Sequence, residues 1–190
     1  MKNYKKNLKI LEDGHVYSKE MEHDACGVGL IASTEGKKSR KVVEYGINAL
    51  KAVWHRGAVD ADGKTGDGAG IHLEIPSDFF AEKIELTGHD HDGSEICVGM
   101  IFLPRNNYQA QENARTLVES ELTKSNFSIY GWRQVPVNPK VLGEKANLTR
   151  PEITQVLFKH NNKDLTEKEL ERKIYESRRK IEKEAIKDAI

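Results

Sequence analysis

One cysteine, Cys26, stands between a polar segment and an apolar run, where a strand is predicted to begin. Gly27 and Gly29 follow it closely, and glycines let the backbone bend sharply and be approached by other groups. A thiol with so little side-chain cover on its C-terminal side could meet a ligand and act as a nucleophile. Chemistry alone favours a buried, inert thiol, because free cysteine is among the most buried residue types. Both roles stay open for Cys26 on these residues.

A second group of residues with chemical potential lies between positions 54 and 70. His55 and Arg56 fall at the predicted C-terminal end of a helix, where the helix dipole favours cations, so a structural role would explain both. The glycine-rich loop over 57–70 matches neither a phosphate-binding P-loop nor the dinucleotide-binding fingerprint. Its aspartates lack the spacing of an EF-hand, which argues against calcium. The residues themselves predict a pair of tight turns.

Taken together, three blocks of the chain resemble the class II glutamine amidotransferase domain of glutamate synthase large subunits. They cover residues 22–29, 54–58 and 62–70, in the order and at the spacing of that family. The resemblance runs from about residue 22 to the end of the chain and weakens between 87 and 166. The third block, Asp-Gly-Lys-Thr-Gly-Asp-Gly-Ala-Gly, favours glutamate synthase over other class II amidotransferases.

The resemblance implies that residues 1–25 form a propeptide and that residues 26–190 form the N-terminal part of an amidotransferase domain. Removal of the propeptide would make Cys26 the N-terminal nucleophile. Its own α-amine, with an ordinary pKa of about 7.7–8.0, would then serve as the base. The polar, lysine-rich start of the chain also fits a disordered tail. The two interpretations are compatible, because a cleavable segment must be accessible.

The resemblance also assigns roles around the nucleophile. Arg56 would order the neighbouring residues, since its planar fork of donors can hold carbonyl or carboxylate oxygens. The active-site loop residues would be Gly27, Gly66, Asp67 and Gly68. Asp67 is expected to fix that loop, whereas His55 is interpreted as a structural residue. No metal ligand is expected.

The implied reaction is glutaminase chemistry within glutamate synthase. Glutamine would be hydrolysed through a cysteine thioester to glutamate and ammonia, and the ammonia would aminate 2-oxoglutarate. The full-length family is expected to use FMN and an iron–sulfur cluster, with no cofactor in this part. The expected partners are glutamine, the remainder of the large subunit, and either an electron-donating small subunit or ferredoxin. The alternatives are a non-catalytic interaction module of the same fold, or the glutaminase domain of another class II amidotransferase.

The implied fold is α+β, a four-layer αββα N-terminal-nucleophile sandwich that is incomplete at the C-terminus. Apolar and alternating runs predict strands at 26–33, 71–75, 96–103, 127–130 with a continuation to 137, and 153–158. Capping signals and apolar periodicity predict helices after Ser39, after Ser77 or Asp78, from Asn106 or Asn107 to about Lys124, and after Thr166. Cys97 falls inside an apolar strand and is predicted to be inert core packing.

No Asn-Gly pair occurs in the sequence, although the family forms its oxyanion hole from such a pair. The last helical pattern also reaches Ile190 without a stop signal. We therefore expect a fragment that is inactive alone, with the oxyanion and substrate-binding residues beyond Ile190. The electron donor and the oligomeric state are not encoded in these residues.

Composition excludes several classes of function. Thirty basic residues balance thirty acidic ones, so no overall field attracts nucleic acid or an anionic membrane. No apolar run reaches the length of about 18 residues that a membrane span needs. Two cysteines without metal-type spacing indicate a reducing compartment, and we expect a cytoplasmic location. His89 and His91 fall in a polar loop that is predicted to be solvated rather than to bind metal.

Overall fold

The computed structural model describes residues 6, 9–10, 27–53 and 57–187. The elements with described bounds are α1 (Arg40–Ala52), α2 (Ser77–Glu85), β1 (Cys97–Leu103), α3 (Tyr108–Lys124), β2 (Phe127–Gln134), a 3-10 turn (Pro139–Val141), α4 (Glu144–Thr149), β3 (Glu152–His160) and α5 (Glu167–Lys187). Two compact units divide the chain: the first contains Met1–Asp60 with Gly66–Ile71, and the second contains Ala61–Thr65 with His72–Ile190.

The second unit is built on an antiparallel sheet in the order β1-β3-β2. β3 lies in the middle, where both of its edges are paired with neighbouring strands, and most of its residues are buried. β2 is one strand from Phe127 to Gln134, so the predicted continuation beyond residue 130 is present but ends before residue 137. The pairing shifts between Ile129 and Gly131, where Gly131 adopts a positive φ of 146°. Thr87 lies against this bulge and donates a 2.8 Å hydrogen bond to the Tyr130 carbonyl.

Each face of the sheet carries its own apolar cluster. On one face, Val118 and Leu122 of α3 and Leu170 of α5 pack against buried aromatic and aliphatic residues of the strands. On the other face, Phe80 and Ile84 of α2 pack with residues that include Leu157. Complete burial of one such side chain contributes about 1.5–3 kcal/mol, so these two clusters anchor the helices to the sheet.

The helix starts can be compared with the capping residues that the sequence predicts. Asn107 caps α3 by accepting a 3.0 Å hydrogen bond from the Ala110 amide, as predicted. The capping box before α5 is confirmed, because the Thr166 amide donates to Glu169 Oε2 at 2.9 Å and the Glu169 amide donates back to Thr166 Oγ1 at 3.4 Å. Ser39 occupies the N-cap position of α1, but its side chain makes no capping hydrogen bond.

Two predicted strands are wrong. Residues 27–33 and 71–75 have no strand structure, and Val28 and Leu30 are 91% and 89% exposed. Apolar sequence marks a segment that can be buried, but a strand also needs a neighbour to pair with its backbone groups. Among the described residues, neither segment has such a strand beside it. Pro76, rather than Ser77 or Asp78, is the N-cap of α2.

Helix α1 belongs to the first unit and has an amphipathic pattern. Val43, Ile47 and Leu50 form the predicted stripe, and all three are half-buried. Trp54, at the end of that predicted stripe, lies outside the described residues. In the part of the chain that the structure describes, each helix is either too short or too polar to cross a membrane.

Candidate active site

The glycine-rich loop over 57–70 is closed at its base by Ala58 and Asp67. The Ala58 amide donates to Asp67 Oδ2 at 2.8 Å, and the Asp67 amide donates to the Ala58 carbonyl at 3.3 Å. An isolated β-bridge between Val59 and Gly66 adds to this pairing. We call these four residues the neck of the loop. The predicted fixing of the loop by Asp67 thus has a definite partner, the backbone two residues after Arg56.

The two glycines on either side of Asp67 have different surroundings. A Cβ added at Gly66 would lie 2.9 Å from the Ala58 carbonyl oxygen, closer than real contacts allow. A Cβ added at Gly68 would have no described atom within 4 Å. Gly66 is therefore needed for the close approach of two backbone segments in the neck, whereas the described surroundings of Gly68 leave room for a side chain.

The tip of the loop is an Asp-centred turn. Asp62 Oδ1 accepts hydrogen bonds from the amides of Lys64 at 2.9 Å and Thr65 at 2.7 Å, and Oδ2 accepts one from Thr65 Oγ1 at 2.5 Å. The Thr65 hydroxyl, followed by the backbone amides, holds the pKa of the Asp62 carboxyl well below its ordinary value. Both carboxylate oxygens are occupied by local donors, which fits a turn better than a calcium site.

The predicted nucleophile region is only partly described. Cys26, His55 and Arg56 lie outside the described residues, as do most positions of the predicted propeptide. Gly27 is exposed and is not part of the neck. The structure brings Gly66 and Asp67 together with Ala58, and it assigns Gly27 to the same compact unit as residues 66–68.

Cys97 is buried in the sheet, as predicted. Only 3% of its surface is exposed, and it packs with Phe127 and Val156 in the core. Burial, with a smaller contribution from the nearby Glu95 carboxylate, raises the pKa of the Cys97 thiol to about 12. A thiol of that pKa is protonated at neutral pH and cannot act as a ready nucleophile.

The polar loop over 87–94 uses its side chains to hold itself against the sheet. His91 Nε2 lies 2.8 Å from the Ser94 carbonyl. Asp92 Oδ2 pairs with Lys159 at 2.7 Å and Lys163 at 3.0 Å. Across the described residues, no group of three His, Cys, Asp or Glu side chains is placed to hold a metal ion.

The sequence profile of the glutamine amidotransferases class-II family matches residues 26–189. The chain belongs to the class II glutamine amidotransferases. The match begins at the cysteine that the sequence singles out, and it includes the whole glycine-rich loop. The α-helical and β-strand elements described above are thus those of a class II amidotransferase.

Curated relatives of this class II amidotransferase include glutamate synthases. It is 52% identical over 181 residues to the large chain of glutamate synthase [NADPH] from Azospirillum brasilense. It is 40% identical over 167 residues to ferredoxin-dependent glutamate synthase 1 from Arabidopsis thaliana, and 36% identical over 176 residues to the ferredoxin-dependent enzyme from Pyropia yezoensis. These alignments cover 95%, 85% and 92% of this chain, but they span only 12%, 10% and 11% of the respective relatives.

Sequence reasoning missed the partners that hold the loop of this class II amidotransferase. Ala58 contributes only backbone groups, which no motif could reveal. Asp62 and Thr65 were available as a signal, because an Asp three residues before a Thr is typical of a side-chain-stabilised turn. Gly143, which lies beside that turn, gave no signal because its partner is 78 or more positions away in the sequence.

Proposed function

We propose that this chain is the N-terminal part of the glutaminase domain of a glutamate synthase large subunit. The observation that carries the proposal is the family match that starts at Cys26 and runs to residue 189. The identity of 52% to a glutamate synthase large chain supports the specific assignment. Because the chain spans about an eighth of that relative, the activity, substrates and partners of the whole protein belong to this proposal.

The proposed reaction is hydrolysis of the glutamine side-chain amide. Removal of residues 1–25 frees the α-amine of Cys26, which accepts the thiol proton as the sulfur attacks the amide carbon. Collapse of the tetrahedral intermediate breaks the C–N bond, and the protonated amine returns a proton to the leaving ammonia. Water then attacks the thioester, which releases glutamate and regenerates the thiol. The ammonia serves the amination of 2-oxoglutarate elsewhere in the large subunit.

Arg56 and the neck have positioning roles in this proposal. Arg56 cannot shuttle protons, because its guanidinium stays protonated at working pH. It holds oxygens around the new N-terminus through its planar fork of donors. Asp67 supports Arg56 indirectly, because the hydrogen bonds of Asp67 fix the backbone of Ala58, two residues after Arg56. Gly66 allows the two segments of the neck to approach each other, whereas Gly27 and Gly68 keep the neighbouring backbone accessible to the substrate.

We place these residues in a four-layer αββα sandwich of the N-terminal-nucleophile type. Such a sandwich stacks two mainly antiparallel sheets between layers of helices. The antiparallel sheet β1-β3-β2, with α3 and α5 packed on one face, supports one sheet and one helix layer of that arrangement.

The flavin and the iron–sulfur cluster of the proposed enzyme belong to the remainder of the large subunit. Iron–sulfur clusters take thiolate ligands, typically four. This sequence has two cysteines, and Cys97 is buried in the sheet as a protonated thiol, so these residues do not fit such a cluster. The chain is more similar to the NADPH-type glutamate synthase, at 52% identity, than to the two ferredoxin-dependent relatives, at 36% and 40%. This difference favours a nicotinamide as the electron source, with the electrons passing through a small subunit. Two cysteines without metal-type spacing suggest a reducing compartment, which supports a cytoplasmic location for the enzyme.

The test is glutaminase activity of cysteine variants in the complete large subunit. Cys26→Ala should abolish ammonia release from glutamine, whereas the matched control Cys97→Ala should retain it. Intact-mass analysis of the active protein should show loss of residues 1–25. An active enzyme that retains Met1, or a Cys26→Ala variant with full turnover, would refute the proposal.

A second variant tests the role given to Arg56. Arg56→Lys keeps the positive charge but removes the planar fork, so we expect severe loss of turnover with an unchanged unfolding midpoint. Turnover equal to that of the unsubstituted enzyme would remove Arg56 from the active site.

A further inference from the structure

The turn at the tip of the glycine-rich loop contacts a distant part of the chain. The Ala146 amide donates a long, 3.5 Å hydrogen bond to Thr65 Oγ1 across 81 positions of sequence. The backbone of Glu144 also hydrogen-bonds the Asp62 carboxylate. Both partners belong to the start of α4, and both contacts lie inside the second compact unit. We call residues 62–65 the docking turn.

Gly143 is the residue that lets the docking turn come so close. It is buried, and a Cβ added there would overlap Thr65 Oγ1, Asp62 Oδ2 and the Thr65 amide nitrogen. Its φ of −69° and ψ of 164° are ordinary for any residue. Glycine is therefore required at 143 for space and not for backbone conformation. An alanine there would test the contact itself without straining its own backbone.

The docking turn ends where the neck begins. Thr65 is bonded to Gly66, where an added Cβ would lie 2.9 Å from the Ala58 carbonyl oxygen. Asp67 follows, and its carboxylate and amide both form hydrogen bonds with the Ala58 backbone. The loop is therefore held by two neighbouring attachments of different kinds. The neck ties the loop to its own beginning, and the docking turn ties the loop to the start of α4. Loss of the second attachment would remove the hydrogen bond and the close contact that join Thr65 to the start of α4.

We propose that contact of the docking turn with Gly143 positions the glycine-rich loop for glutamine hydrolysis, and that Asp62, Thr65 and Gly143 are positioning residues. This inference rests on the glutaminase function proposed above. None of the three touches the reacting atoms in this account. Their effect passes through Gly66 and Asp67, so a loosened docking turn misplaces the loop without removing any catalytic group. Misplacement by about 1 Å can reduce turnover on the order of 100-fold.

The first part of the test measures docking independently of activity. Lys64 is exposed within the docking turn and is a cleavage site for trypsin. Proteases cut transiently opened segments, so the rate of cleavage after Lys64 reports how often the turn leaves α4. In the complete large subunit, Gly143→Ala should accelerate this cleavage several-fold. Val141→Ala, an exposed position two residues earlier, is the matched control and should leave the rate unchanged.

The second part of the test uses the hydroxyl of Thr65. Thr65→Val keeps the shape of the side chain but loses the oxygen that bonds Asp62 and Ala146, whereas Thr65→Ser keeps that oxygen. We expect Thr65→Val and Gly143→Ala to lower kcat/KM for glutamine by roughly 10–100-fold. Thr65→Ser should keep kcat/KM for glutamine near the value of the unsubstituted enzyme. The unfolding midpoint of all variants should stay the same, because the contact is local.

The possible results separate docking from function. Unchanged cleavage after Lys64 in Gly143→Ala would overturn the docking. Faster cleavage with unchanged kcat/KM would overturn the positioning role. An unsubstituted subunit without glutaminase activity would overturn the proposed function and the positioning role with it, while the cleavage assay would still report on docking.

Discussion

Gly66→Ala perturbs the neck by an amount that the structure defines. The added Cβ would start 2.9 Å from the Ala58 carbonyl oxygen, whereas ordinary contact begins at about 3.4 Å. The backbone segments at Gly66 and Ala58 must therefore separate by about 0.5 Å to reach an ordinary carbon–oxygen contact distance. The same shift stretches the hydrogen bond from the Asp67 amide to that carbonyl, which is already 3.3 Å long. A donor–acceptor distance of about 3.8 Å is no longer a hydrogen bond.

The cost of this change follows from the bond that is lost. A backbone hydrogen bond contributes about 0.5–1.5 kcal/mol net. A loss of about 1 kcal/mol makes the open form of the neck roughly five times more populated. Hydrogen exchange at the Asp67 amide measures that population directly, and we expect the exchange rate to rise by about fivefold. Turnover of glutamine in the complete subunit should fall together with the rise in exchange.

Gly68→Ala is the control for this experiment. The described surroundings of Gly68 have no atom within 4 Å of an added Cβ, so exchange at Asp67 should not change. The steric reasoning would be refuted if Gly66→Ala left hydrogen exchange at the Asp67 amide unchanged. It would also be refuted if Gly66→Ala and Gly68→Ala changed that exchange rate equally.

Three further predictions concern the second unit. Leu157→Ala empties a fully buried site on the central strand and should lower the free energy of unfolding by about 2–5 kcal/mol in urea denaturation, whereas Met100→Ala at a half-exposed site should cost far less. The Asp92 carboxylate has a lowered pKa because of its hydrogen bond from Lys159, so its contribution to stability is present above the unfolded pKa of about 3.9 and is lost as the pH falls below it. Asp92→Asn should therefore lose less stability between about pH 5 and pH 3 than the unsubstituted chain, and an identical pH profile would contradict this. Thr166→Ala removes the N-cap oxygen of α5 and should cost about 1 kcal/mol, which unchanged urea denaturation would disprove.

Local signals predicted the elements whose causes are local. Asn107 and the Thr166–Glu169 pair place helix starts because the capping hydrogen bonds involve residues three positions apart. β1 was predictable because a continuous apolar run of strand length stands between polar segments. Burial of Cys97 follows from the same run.

The wrong predictions depend on partners that a local pattern cannot reveal. Residues 71–75 alternate as a half-buried strand would, yet Ile71 and Leu73 are 44% and 43% exposed, and no described strand pairs with them. The bulge at Gly131 lies against Thr87, more than forty positions away, which leaves no room for a Cβ at residue 131. In the candidate site, the family resemblance implied that Asp67 fixes the loop, but it could not reveal the partner, which is a backbone group of Ala58.

The most direct measurement of the central claim is covalent labelling by a glutamine analogue that carries an electrophilic ketone at the side-chain carbonyl. Applied to the complete large subunit and mapped by peptide mass, it should place one equivalent on Cys26 as the N-terminal residue. Glutamine should protect against labelling, and ammonia release should stop as labelling completes. Cys97 should stay unlabelled, because burial raises its thiol pKa to about 12. Labelling confined to Cys97, or an active enzyme labelled at Cys26 with Ala25 still attached, would contradict the account.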